Sequence, residues 1–67
     1  MQPHVERMVK ELGELHDRVT NLDIFIAGNP LFNEKLTDEQ RDLMVVQRNA
    51  MRIYEWALRK RISLENS

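Results

Sequence analysis

Between Val5 and Ile26 the apolar residues advance in alternating steps of three and four: Val5, Met8, Leu12, Leu15, Val19, Leu22, Ile26. That is an unbroken heptad row, and it specifies a helix with a single apolar edge. A strand would need apolar and polar residues in alternation, which the segment lacks. Pro3 suits the first helical position, where its missing N–H would have no partner in any case. The row and the proline predict a helix over residues 3–27. Gly28-Asn29-Pro30 should end it, glycine by accepting a left-handed helix end and proline by being unable to extend the ladder.

Residues 28–36 read as a connection, though not a polar one. Leu31, Phe32 and Leu36 are expected to fold back onto Ile24, Phe25 and Ile26. A second helix should then start sharply. Thr37-Asp38-Glu39-Gln40 has the form of a capping box, with Thr37 as N-cap and Gln40 at the third helical position. Asp38 and Glu39 also suit the positive end of the helix dipole, and Arg59, Lys60 and Arg61 suit the far end. The expected span is 37–62, followed by a frayed tail at 63–67.

The second helix has two apolar rows where the first has one. Leu43, Val46, Ala50, Ile53 and Ala57 form the first row; Met44, Met51, Tyr54, Leu58 and Ile62 form the second. Together they make an arc wider than one antiparallel neighbour can cover. A lone hairpin would leave a long apolar face in water, and such a face usually marks an interface. The expected fold is therefore all-α: a two-helix antiparallel hairpin, one domain over 1–67, assembling into a homo-oligomeric helical bundle. The interface should draw on Leu43, Met44, Gln47, Ala50, Met51, Tyr54, Ala57 and Leu58. The two alanines permit close approach, and Gln47 is placed to set register.

Size leads to the same expectation. A chain of 67 residues buries a modest share of its surface and usually needs a staple. With no cysteine there is neither a disulfide nor a thiolate metal site. His4 and His16 stand twelve apart on one helix, too far for a zinc pair, so no metal and no cofactor is expected. Self-association is the remaining staple. The start, Met1-Gln2-Pro3-His4-Val5-Glu6-Arg7, is polar where a signal peptide would have its apolar core, and no apolar run approaches the length of a bilayer span. These features and the lack of cysteine suit a reducing cytoplasm.

No catalytic constellation is evident. Serine occurs only at Ser63 and Ser67, and there is no glycine-rich phosphate loop. Acidic pairs such as Glu11/Glu14 and Asp38/Glu39 read as a solvated face and a helix start. The chain is expected to bind rather than catalyse. Its charge is unevenly placed: residues 41–62 carry six basic and two acidic side chains, whereas the first thirty carry three basic and five acidic. The second half thus offers a positive surface to an anion. On it, Asn49, Arg52, Trp56 and Arg59 fall at steps of three and four and share one stripe. Arginine forks match phosphate oxygens, and an indole offers a base a stacking surface. Arg48, Tyr54 and Arg61 are further candidates beside it. The plainer reading is that Trp56 edges an interface while the arginines are solvated or paired with Glu55 and the acidic first helix.

Several residues in combination carry a resemblance. They are Val5-Glu6-Arg7-Met8, Leu22, Phe25-Ile26, Asn29-Pro30-Leu31-Phe32, Leu43-Met44, Gln47, Ala50-Met51, Tyr54, Leu58 and Arg61-Ile62. The pattern resembles a family of very small bacteriophage and prophage proteins related to a protein of crAss-like phages. Gly13, in mid-helix, departs from it. The resemblance implies a phage origin and action in the host bacterial cytoplasm, and it supplies no catalytic motif. By a looser analogy the chain is similar to phage sponge proteins, tiny helical hairpins that oligomerise and sequester the cyclic nucleotide signals of bacterial immunity. The leading expectation is a counter-defence protein that withholds a cyclic di- or trinucleotide in sites between subunits. The alternative is a module that docks the apolar face of helix two on a host enzyme or defence protein. Binding to polymeric nucleic acid ranks below both, because the net charge is −1 and the basic surface is short.

Overall fold

The structure, a computed structural model, describes residues 2–66. Three helices follow one another: α1 (Pro3–Gly28), α2 (Pro30–Glu34) and α3 (Asp38–Glu65). Among the described residues there is no strand. The helix rows explain the packing. His4 meets Glu65, His16 meets Glu55, and Asp23 meets Arg48, so α1 and α3 run antiparallel along their whole length. The chain measures 46 × 15 × 14 Å.

The heptad row of α1 is the buried one. Val5, Met8, Leu15 and Val19 form the core with Leu58 of α3, and Leu12, Met51 and Ile62 pack against it. Leu58 has none of its surface exposed. No polar or charged residue is buried among those described.

The ends differ from expectation in three places. First, α1 does not finish on a left-handed glycine: no described glycine has a positive φ. The chain leaves the helix at Asn29, which is extended at φ −82° and ψ 124° because Pro30 disfavours the helical region for the residue before it. Second, the connection is itself partly helical. Asn29 turns from stop to start, its side-chain oxygen accepting from the Leu31 N–H at 2.9 Å, and Pro30 opens the five-residue α2. Phe32 folds back as expected, edge-on to Phe25 with ring centroids 6.0 Å apart. Leu31 and Ile24 stay exposed. Third, α3 runs through the expected tail to Glu65, so Arg59, Lys60 and Arg61 sit inside the helix and not in its last turn. Met1 and Ser67 lie outside the described residues.

The capping box is present in full. The Thr37 hydroxyl accepts from the Gln40 N–H at 3.1 Å, and the Gln40 side chain accepts from the Thr37 N–H at 2.9 Å. Arg41 ties this start to what precedes it: its guanidinium donates to the carbonyls of Asn33 and Leu36 at 3.1 and 3.0 Å and pairs with Asp38.

Gly13 sits exposed in the middle of α1, and a Cβ built there meets nothing within 4 Å. Only its helix cost remains, so Gly13→Ala is expected to stabilise the protein by about 1 kcal/mol. A thermal melt checks this. An unchanged or lowered midpoint would mean that the glycine is held by a contact the single chain lacks.

Candidate functional site

The side of α3 turned toward α1 is a row of mixed chemistry: Met44, Arg48, Met51, Glu55, Leu58 and Ile62, all buried or half-buried. Two charged residues in such a row require partners, and both partners come from one flank of α1. His16 donates from Nδ1 to Glu55 at 2.6 Å, and Arg59 donates to the same oxygen at 3.2 Å. Asp23 accepts from Arg48 at 3.2 Å and also from Arg52. His16 and Asp23 are seven apart on α1, as are Arg48 and Glu55 on α3, so the clasps repeat with the heptad.

These contacts tune the carboxyls. The Arg52 hydrogen bond, reinforced by Arg48, holds Asp23 below the usual carboxylate range against an opposing push from desolvation. His16, then Arg59, does the same for Glu55, again against desolvation. On the other flank, Tyr54 donates to Glu11, and that bond to a carboxylate raises the phenol above its ordinary value.

The outward side of α3 is apolar and uncovered in the single chain. Leu43, Val46, Ile53 and Trp56 are all more than half exposed, and Ala50 lies among them. The row Leu43, Val46, Ala50, Ile53, Ala57 thus faces away from α1, while Met44, Met51 and Leu58 face it. Of the residues expected at an interface between copies, Leu58 and Met51 are therefore taken up in the hairpin core, whereas Leu43 and Ala50 remain available. Tyr54 and Gln47 sit at the rim, both exposed, and Ala57 is half-buried.

The stripe predicted for ligand binding lies beside this outward row. Trp56 is 62% exposed. Arg52 and Arg59 flank it one turn to either side, with side chains 55% and 57% exposed. Arg48 lies deeper, its side chain 24% exposed, against Asp23 and Asn49. Arg61 is exposed on the opposite flank with Tyr54, so the six candidate residues do not share one face. Sequence reasoning gave Glu55 and, without naming its residues, the acidic first helix as partners for the arginines; it missed Asp23, His16 and Glu11 individually. The signal of these three was positional: each stands one step off the apolar row of α1.

The arrangement offers an exposed indole between two arginines that are partly satisfied by carboxylates yet keep free donors, since a guanidinium carries five. The described residues enclose no pocket, hold no cluster of metal-ligating side chains, and include no helix long and apolar enough to cross a membrane. No curated protein and no solved structure matches the chain. What does match is a family defined over nearly its whole length: residues 2–64, from the start of α1 almost to the end of α3, place the chain in the Sequestin family.

Proposed function

We propose that this protein is a non-catalytic, phage-encoded sequestering protein that acts in the host bacterial cytoplasm. It withholds a cyclic di- or trinucleotide immune signal in sites formed between subunits of a homo-oligomer. The family name implies capture of a partner. The observation that carries the ligand class is Trp56, exposed between Arg52 and Arg59 on one stripe of α3. An indole stacks on a base, and arginine forks grip phosphate oxygens, so the pair suits a compact anionic nucleotide. Asp23 and Glu55 hold the arginines in place, which lowers the entropy lost on binding. A single hairpin is too thin to enclose a ligand, so the site needs a second chain.

Thermal melts with a panel of cyclic di- and trinucleotides test this. A bound ligand at a hundred times its Kd adds about 2.7 kcal/mol to stability by linkage. The midpoint should rise with one or more ligands, and Trp56→Ala should abolish the rise. A midpoint that stays flat across the panel at millimolar concentration would remove the nucleotide reading. The exposed apolar row also supports docking on a host protein, a reading that a stable 8.0 kDa monomer in solution would favour.

A further inference from the structure

The outward row of α3 has the features of half an interface. Continued past Ala57 at the same steps it reaches Lys60 and Leu64, and continued back past Leu43 it reaches Glu39. The apolar stretch from Leu43 to Ala57 is thus flanked by charges of opposite sign, with Leu64 one turn beyond Lys60. Neither Glu39 nor Lys60 makes an ion pair among the described residues, and both are exposed. Asp42 beside Glu39 and Arg61 beside Lys60 reinforce the asymmetry, whereas Asp38 and Arg59 are paired within their own helix, with Arg41 and Glu55.

We infer that this row is covered by the same row of a second copy, running antiparallel. Charge decides the direction. Parallel pairing would set Glu39 on Glu39 and Lys60 on Lys60, whereas antiparallel pairing brings each acidic start against a basic end, twice, by two-fold symmetry. Volume decides the register. Antiparallel rows pair so that Val46 faces Ala57 of the second copy and Ala50 faces its Ile53. Each alanine then sits opposite a β-branched residue, the large-against-small match that fills a seam. The same register sets Lys60 opposite Leu43 of the second copy, one turn from its Glu39 and within reach of a flexible ammonium. Sliding by a heptad either way uncovers one end of the row.

This pairing has a consequence for the ligand. The two-fold axis is perpendicular to both helices, so identical flanks fall on the same side of the pair. The Arg52–Trp56–Arg59 stripes of both copies therefore line one face, and the site belongs to neither chain alone. That last step rests on the sequestration reading. The pairing does not.

Because the chain has no cysteine, disulfide trapping reads the register directly. Val46→Cys and Ala57→Cys are made separately, then mixed and oxidised. The mixture should give a covalent dimer of one of each. Either variant alone should not, since like residues would lie roughly 16 Å apart along the axis at 1.5 Å per residue, beyond disulfide reach. Cross-linking of a variant with itself, or no cross-link in the mixture, would overturn the inference. A second measurement does not depend on cysteine. Lys60→Glu should weaken assembly at low ionic strength by tenfold or more, and adding Glu39→Lys should recover most of that loss. Failure of the double swap to recover would also overturn it. If the mixed disulfide forms yet no cyclic nucleotide shifts its melting, the pairing stands and the ligand reading falls. A nucleotide bound by copies cross-linked in some other register would leave that reading intact and remove this one.

Discussion

Leu58→Ala is expected to unfold most of the protein at 37 °C. Leu58 has no exposed surface and is the buried residue that α3 contributes to the core formed with Val5, Met8, Leu15 and Val19 of α1. Removing a buried leucine to alanine costs about 2–5 kcal/mol, the transfer of the lost carbons plus the cavity left behind. Two rods packed along one line cannot collapse around a hole as a layered domain can, so the upper half of that range applies. Small domains begin with little stability in reserve. Each kcal/mol lowers the midpoint of a domain this size by roughly 4–8 °C, so a fall of about 12 °C or more is expected. Circular dichroism during heating measures it. Ile24→Ala is the control: Ile24 is 64% exposed on α1, and its loss should shift the midpoint by a few degrees at most. Comparable shifts for the two variants would mean that the α1–α3 contact is not where stability resides.

How much of this was legible in the sequence depends on whether local pattern or distant partners decide it. The row of α1 was legible because seven apolar residues at heptad spacing leave one face to bury. So was the start of α3, since Thr37 and Gln40 satisfy each other's backbone within three residues. The second helix was legible only as having two rows. Which of them would turn inward was not, because Leu43, Val46 and Ile53 are as apolar as Met44, Met51 and Leu58. Arg48 and Glu55 even made the inward row look the less apolar of the two. These two lie in the same row as Met51 and Leu58, and they are tolerable there only because Asp23 and His16 stand opposite. Nothing within the second helix announces that match. α2 was hidden for another reason: five residues are too few for a period, and Asn29-Pro30 signals the end of one helix and the start of the next with the same two residues.

The arginine–tryptophan stripe shows the same division. Its residues were found from spacing alone, and the structure keeps Arg52, Trp56 and Arg59 on one exposed strip. Their electrostatics were not available from spacing. Arg52 shares Asp23 with Arg48, and Arg59 shares Glu55 with His16, so the strip is less positive than a count of its arginines suggests. An anion that binds there competes with fixed carboxylates for part of each guanidinium. This favours a ligand with several phosphate oxygens and a base to stack, and disfavours a lone phosphate.

Ile53→Asp is expected to dissociate the assembly while leaving each hairpin helical. In the single chain Ile53 is 67% exposed and touches none of the core, so the substitution costs the hairpin little beyond helix propensity, a few tenths of a kcal/mol by typical scales. In a pair of α3 helices it faces Ala50 of the second copy at the centre of the seam. A carboxylate buried there has no cation opposite, because Lys60 is two turns away, and an unpaired charge in such a setting typically costs about 3–5 kcal/mol. That corresponds to a weakening on the order of a hundredfold or more in the dissociation constant. Light scattering across a dilution series reads the effect: the parent should hold a mass above 8.0 kDa at micromolar concentration, and the variant should not. Circular dichroism on the same samples should show the variant's helices in place. The melting midpoint of the parent should also fall on dilution, whereas that of the variant should not, since only a protein stabilised by its own copies has a concentration-dependent midpoint. A variant with the parent's mass at every dilution would mean that the outward row of α3 is not where copies meet, and a two-chain site on that face would have no basis.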